Sequence, residues 1–195
     1  YAGTWQQSGP PLRETRTEDA ARLFVNDHAQ PRAYWCPAWQ PVEGVKAAAD
    51  VLASGQFNGA AECVIDIDSP GFGGLTGLLP PATATPGGAP AVVPAGVQCI
   101  LDVHSPEEVA VTVIAPQPGI TILADTWSSN WHATLNGASC PILQANGLFR
   151  GIATPAGSSQ IIFWYRPTAY YAGLSVSLAA LACLAVGGLI SFFRP

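Results

Sequence analysis

ITILADTWSSNWHATLNGASCPILQANGLFRGIATPAGSSQIIFWY, residues 120–165, decides the fold. Two Asn-Gly pairs, Asn136-Gly137 and Asn146-Gly147, lie between runs of strand-forming composition: WHATL, SCPIL and LFRGI. Asn and Gly both accept the positive φ of a type I′ turn, so each pair predicts a tight hairpin. Pro155-Ala156-Gly157 makes the next turn, and Gln160–Tyr165 (QIIFWY) the last strand.

Working upstream, apolar-rich runs recur at Ile120–Asp125, Val109–Ala115 and Val97–His104, separated by Pro/Gly turns. Shorter strands are predicted at Glu62–Asp66, Ala33–Cys36 and Arg22–Asn26. Pro41–Ala53 has helical composition, with Val42, Val45, Ala49 and Leu52 spaced for one apolar face. About eight short strands in antiparallel succession predict a mainly β chain: an antiparallel β-sandwich or jelly-roll-like domain with one short helix. Ser69–Gly96 holds seven glycines and six prolines in 28 residues, the composition of a long loop that docks on a partner or moves.

Downstream, Ala172–Phe193 runs for 22 residues without a charge. As a helix it would extend about 33 Å, enough for a hydrocarbon core of roughly 30 Å. Tyr170 and Tyr171 flank one end and Phe192 and Phe193 the other, as interfacial aromatics do. Arg194 follows, which by the positive-inside rule puts the C-terminus in the cytoplasm and residues 1–169 outside. Within the span Ser175, Ala179, Cys183, Gly187 and Ser191 fall every fourth residue, a stripe of small side chains that lets another helix approach. The organisation expected is a polar arm over 1–20, a β-domain over 21–168 with the loop 69–96, and a single transmembrane helix over 169–195.

The composition fits. Apolar residues make up 49% and charged residues 11%, against roughly 25% charged in soluble domains. A net charge of −5 with scattered basic residues excludes a nucleic-acid partner and a polybasic lipid anchor. The chain opens at Tyr1 and contains no methionine, the expectation for a processed or truncated product whose export signal lies upstream.

From Ala115 to Leu178 the sequence resembles the C-terminal end of the YfhO-like bacterial membrane proteins. The matching residues are Asp125, Thr126, Trp131, Ala133, Gly137, Pro141, Ile142, Ala145, Asn146, Gly147, Phe149 and Arg150, continued by Pro155–Gly157 and Tyr165–Pro167. Upstream, QPRAYWCPAWQPVEG is similar to the family's P-R-A segment and short helix. Ser128, Ser129 and Asn130 stand where the family pattern has Y-P-G. The resemblance implies an extracytoplasmic domain in the bacterial envelope. The family is related to polytopic glycosyltransferases that use lipid-linked sugars, but their many membrane helices and catalytic acid have no counterpart in this chain, so no catalytic residue is carried over.

Candidate chemistry is sparse. His28, His104 and His132, with Asp102 and Asp125, show no metal-ligand spacing. No G-x-S-x-G occurs, and no serine or cysteine stands beside a base. Asp66 and Asp68 suit a strand end better than a catalytic pair. Trp127 and Trp131 are candidates for a sugar or partner platform, with core packing the competing role. Cys36, Cys63, Cys99 and Cys140 lie outside the span, and in an oxidising compartment they allow two disulfides by three pairings.

The function expected is therefore a non-catalytic, membrane-anchored periplasmic accessory subunit, with no cofactor, metal or catalytic residue. Its partners would be membrane lipid and the integral subunits of a larger assembly, photosynthetic or respiratory, in the bacterial inner membrane. Two alternatives stand: the C-terminal part of an envelope glycosyltransferase, and a carbohydrate-binding module.

Overall fold

The computed structural model describes residues 13–18, 21–26, 29–54, 57–74 and 91–193. The chain divides into two compact units, Tyr1–Pro31 and Arg32–Pro195. In the first, β1 (Arg13–Glu18) and β2 (Ala21–Val25) pair antiparallel. β1 lies within the polar arm expected over 1–20.

The second unit carries β3 (Ala33–Cys36), β4 (Ala38–Val42), α1 (Gly44–Ala53), β5 (Glu62–Asp66) and a 3-10 turn at Phe72–Gly74. Then follow β6 (Gln98–Ser105), β7 (Glu108–Ala115), β8 (Gly119–Thr126), β9 (Trp131–Leu135) and β10 (Ala138–Cys140). β11 (Leu143–Ala145), β12 (Phe149–Thr154), β13 (Gly157–Tyr165) and α2 (Thr168–Phe193) complete it. Two sheets pack as a sandwich: one ordered β10-β9-β13-β7-β6, the other β3-β8-β12-β11-β5-β4. The mainly β sandwich with a C-terminal apolar helix is as the sequence predicts.

Both Asn-Gly pairs turn hairpins. Asn136 and Gly137 have φ of 52° and 83°, Asn146 and Gly147 of 49° and 72°, the left-handed pair that a type I′ turn needs. SCPIL, expected as one strand, is two. β10 ends at Cys140 in one sheet and β11 begins at Leu143 in the other, because the chain crosses at Pro141, which cannot donate to a ladder.

The succession is not wholly antiparallel either. β4 and β5 run parallel, joined by α1 as crossover. β4 replaces the first part of the helix predicted from Pro41. Val42 still pairs with Asp66, and the helix starts only at Gly44, whose φ of 78° turns the chain. The predicted helical face shifts accordingly: Ala48 is the fully buried residue, supported by Val51 and Leu52, whereas Val45 is exposed.

β3 and β4 form opposite ends of the six-stranded sheet, yet only Pro37 separates them. The sheet therefore curls until its ends meet at this proline. Period-two alternation then yields two cores. Tyr34, Cys36, Trp39, Ile65, Ile120 and Ile122 fill the inside of the curl. Ala33, Leu123 and Ile152, on its outer face, meet Val111, Ile161 and Phe163 of the five-stranded sheet. Each fully buried Val, Leu, Ile or Phe among them contributes about 1.5–3 kcal/mol. Within the expected loop, Phe72 packs edge-on to Trp39 at 6.2 Å, and residues 75–90 lie outside the described residues.

α2 follows β13 after Arg166 and Pro167 alone. Thr168–Leu189 has mean hydropathy 2.0 and none of it is buried against the domain, so the helix is long and apolar enough to cross a membrane.

Candidate functional site

The end of the sandwich that leads into α2 brings Asp125, Trp131 and Arg150 of the sequence motif together. β8 and β12 pair with an irregularity between Phe149 and Arg150, which turns Arg150 inward between the sheets. Its side chain is buried, and its Nη2 donates to Asp125 Oδ2 at 2.8 Å. From the exposed side Arg32 grips the same carboxylate with both Nε (2.9 Å, Oδ1) and Nη2 (2.8 Å, Oδ2). The Arg150 guanidinium carbon lies 3.7 Å from the centroid of the Trp131 ring and 5.4 Å from that of Phe163. Its Nε and Nη1 have no hydrogen-bond partner among the described residues; the aromatic faces stand in for one.

The electrostatics follow from this geometry. The hydrogen bonds from Arg32, with the charges of Arg150 and Arg32, outweigh burial and hold Asp125 below the usual carboxylate range. Burial pushes the Arg150 guanidinium down to about 10, against the pull of Asp125, so it remains a cation at neutral pH. Arg32 is raised by its hydrogen bond to Asp125. A carboxylate held ionised by two cations is a poor general acid or base near neutrality. The arrangement closes the end of the inter-sheet core.

Beside it a cleft of about 250 Å³ is lined by Trp127, Trp131, Ser128, Cys140 and Ile142, among others. Trp127 is fixed by Nε1–H to the Ile142 carbonyl (3.4 Å) and by its backbone N–H to the Leu148 carbonyl (2.7 Å). Both tryptophans are half-buried against the inter-sheet core, so they serve packing and the cleft wall together. Among the described residues the lining holds hydroxyls, a thiol and His132 but no carboxylate. Burial pushes the Cys140 thiol up to about 11, which keeps it protonated.

The remaining candidates are dispersed. Asp66 ends β5, and its Oδ1 accepts from the N–H groups of Gly44 and Asp68, both at 3.0 Å. His104 lies 3.8 Å from Asp102 on the surface, His132 stacks on Trp164 at 5.8 Å, and His28 falls outside the described residues. The cysteines are all free thiols. Cys36 and Cys63 share the inner core; the Cys63 Sγ–H donates to the Ala38 carbonyl (3.7 Å), and burial raises the Cys63 thiol. Cys99 on β6 and Cys140 on β10 occupy opposite edges of their sheet, too far apart for a disulfide. On α2, Ser175, Ala179, Cys183 and Gly187 are exposed, while the Ser191 side chain lies outside the described residues. Ser175 Oγ donates to the Tyr171 carbonyl and Ser177 Oγ to that of Gly173, each at 2.9 Å, which satisfies both hydroxyls within the helix.

Sequence reasoning missed the Arg32–Asp125–Arg150 network as a unit and the bond from Asn146 Nδ2 to Tyr34 Oη (3.0 Å). The signal was present in the motif positions Asp125, Trp131, Asn146 and Arg150, but spacing along the chain does not say which strands meet. No family model, curated protein or solved structure matches the chain.

Proposed function

We propose that the chain is a non-catalytic subunit of the bacterial envelope, its sandwich held outside the cytoplasm by α2 and docked onto a larger membrane assembly. The observation that carries this reading is the direct passage from β13 into an apolar helix whose segment Thr168–Leu189 is not buried by the domain. A helix that finds no packing at home over Thr168–Leu189, and in which Ser175 and Ser177 are bonded internally, has lipid or other helices as its natural surroundings. The stripe Ser175, Ala179, Cys183 and Gly187, continued by Ser191, is the face offered to a neighbouring helix. The motif residues support a scaffolding role, since Asp125, Trp131, Asn146 and Arg150 are all engaged in holding the fold.

A second reading has the specific support of those same residues. They are the positions shared with YfhO-like proteins, which favours a C-terminal domain of an envelope glycosyltransferase whose chemistry resides elsewhere. The cleft beside Trp127 and Trp131 is where a carbohydrate would lie on the third reading. Gentle detergent extraction of native membranes, then sizing and mass spectrometry, separates these. Co-migration of a chain near 20.2 kDa with a stoichiometric complex supports the subunit reading. One much longer polypeptide containing these residues overturns it in favour of the transferase.

A further inference from the structure

The strand ends that feed α2 are rimmed with aromatic side chains on both faces of the five-stranded sheet. Tyr165 at the end of β13 pairs with Trp131, their rings 5.2 Å apart, and on the opposite face Trp164 stacks on His132. After Arg166 and Pro167 the helix begins, and its first turn carries Tyr170 and Tyr171, rings in edge contact at 5.4 Å. Arg166 ties the two levels together. Its backbone N–H donates to the Asn130 carbonyl (2.9 Å), and its guanidinium lies 5.6 Å from the Tyr171 ring. The strand end and the first helical turn are thus held side by side.

Rings that carry an N–H or O–H, next to an arginine and just ahead of an apolar helix, match the demands of the headgroup layer. That layer is apolar enough for the ring body and wet enough for the polar tip. Trp164 lies four residues before Thr168, within about 14 Å even for an extended chain. Glu107 and Glu108 belong to the same rim, with Glu108 directly opposite Trp164, so the rim suits zwitterionic rather than anionic headgroups.

We infer that this rim, Trp164 and His132 with Tyr165, Arg166 and Tyr170, seats in the headgroup layer of the bilayer that α2 crosses and fixes the sandwich against it. The inference rests on the membrane-anchored reading above. A flexibly tethered domain would sample many tilts; a seated one presents its cleft and edge strands at a defined height to neighbouring subunits.

The test uses the full chain in phosphatidylcholine vesicles containing a headgroup nitroxide lipid, which quenches nearby tryptophan. The wild type is compared with Trp164→Phe and Trp164→Tyr, each checked for an unchanged far-UV spectrum. Flotation of the vesicles reports insertion separately. The expected result is that all three chains float and that both substitutions remove at least half of the quenchable fluorescence. Equal quenching in floating wild type and variants overturns the seating while leaving the anchor intact. A chain that fails to float overturns both.

Discussion

Arg150 stacks its guanidinium 3.7 Å over the ring of Trp131 while donating to Asp125, so one buried cation joins both sheets at the end from which α2 departs. Removing the carboxylate should therefore cost more than removing the exposed arginine. Asp125→Asn leaves Arg150 buried without its counter-charge, a loss of about 3–5 kcal/mol. Arg32→Ala, at the solvent side, should cost about 1 kcal/mol or less. Urea denaturation of the two variants checks the order, and equal losses would refute it.

The same carboxylate sets an acid limit. Asp125 is held below the usual range by the hydrogen bonds from Arg32, with the charges of Arg150 and Arg32. A depressed folded pKa stabilises the fold above the unfolded value, near ~3.9, and that contribution is lost as pH falls through the lower folded value. Stability measured from pH 6 to pH 2 should fall in the wild type below about pH 4, with a shallower fall in Asp125→Asn.

The two Asn-Gly turns should differ in sensitivity. Gly137→Ala meets no atom within 4 Å and carries only the cost of a left-handed alanine, about 1 kcal/mol. Gly147→Ala has a comparable backbone cost, and its new methyl would lie 3.3 Å from the Ala48 Cβ. It should lose about 2 kcal/mol, because α1 is pushed off the hairpin. Gly119→Ala should be the most severe of the three, since its methyl would sit 2.3 Å from the Trp35 ring. Thermal melts of the three variants give the ranking directly.

These contrasts show what was legible in the sequence. The hairpins at Asn136 and Asn146 were readable because positive φ is a local demand that Asn and Gly answer. The apolar span was readable because it is a run. β4 was not, since Pro41 and the alanines after it read as helix, and only pairing with β5 across the crossover makes Ala38–Val42 a strand. Nor was the charge network, because a bulge beside Phe149 decides that Arg150 faces inward toward a carboxylate 25 residues away.

Charge placed on the outside of α2 should release the chain from its surroundings. Leu184 is 74% exposed on the helix, and Leu184→Arg near its middle raises the insertion free energy by about 3 kcal/mol. The fraction of chain recovered in the membrane pellet should fall several-fold, whereas Val45→Arg, exposed on α1, should leave it unchanged.

The central claim, that α2 crosses a bilayer and holds the sandwich to it, is met most directly by alkaline carbonate extraction of membranes from cells making the full chain. The account predicts that the chain stays in the pellet and enters the supernatant only with detergent. Quantitative release by carbonate alone would contradict it.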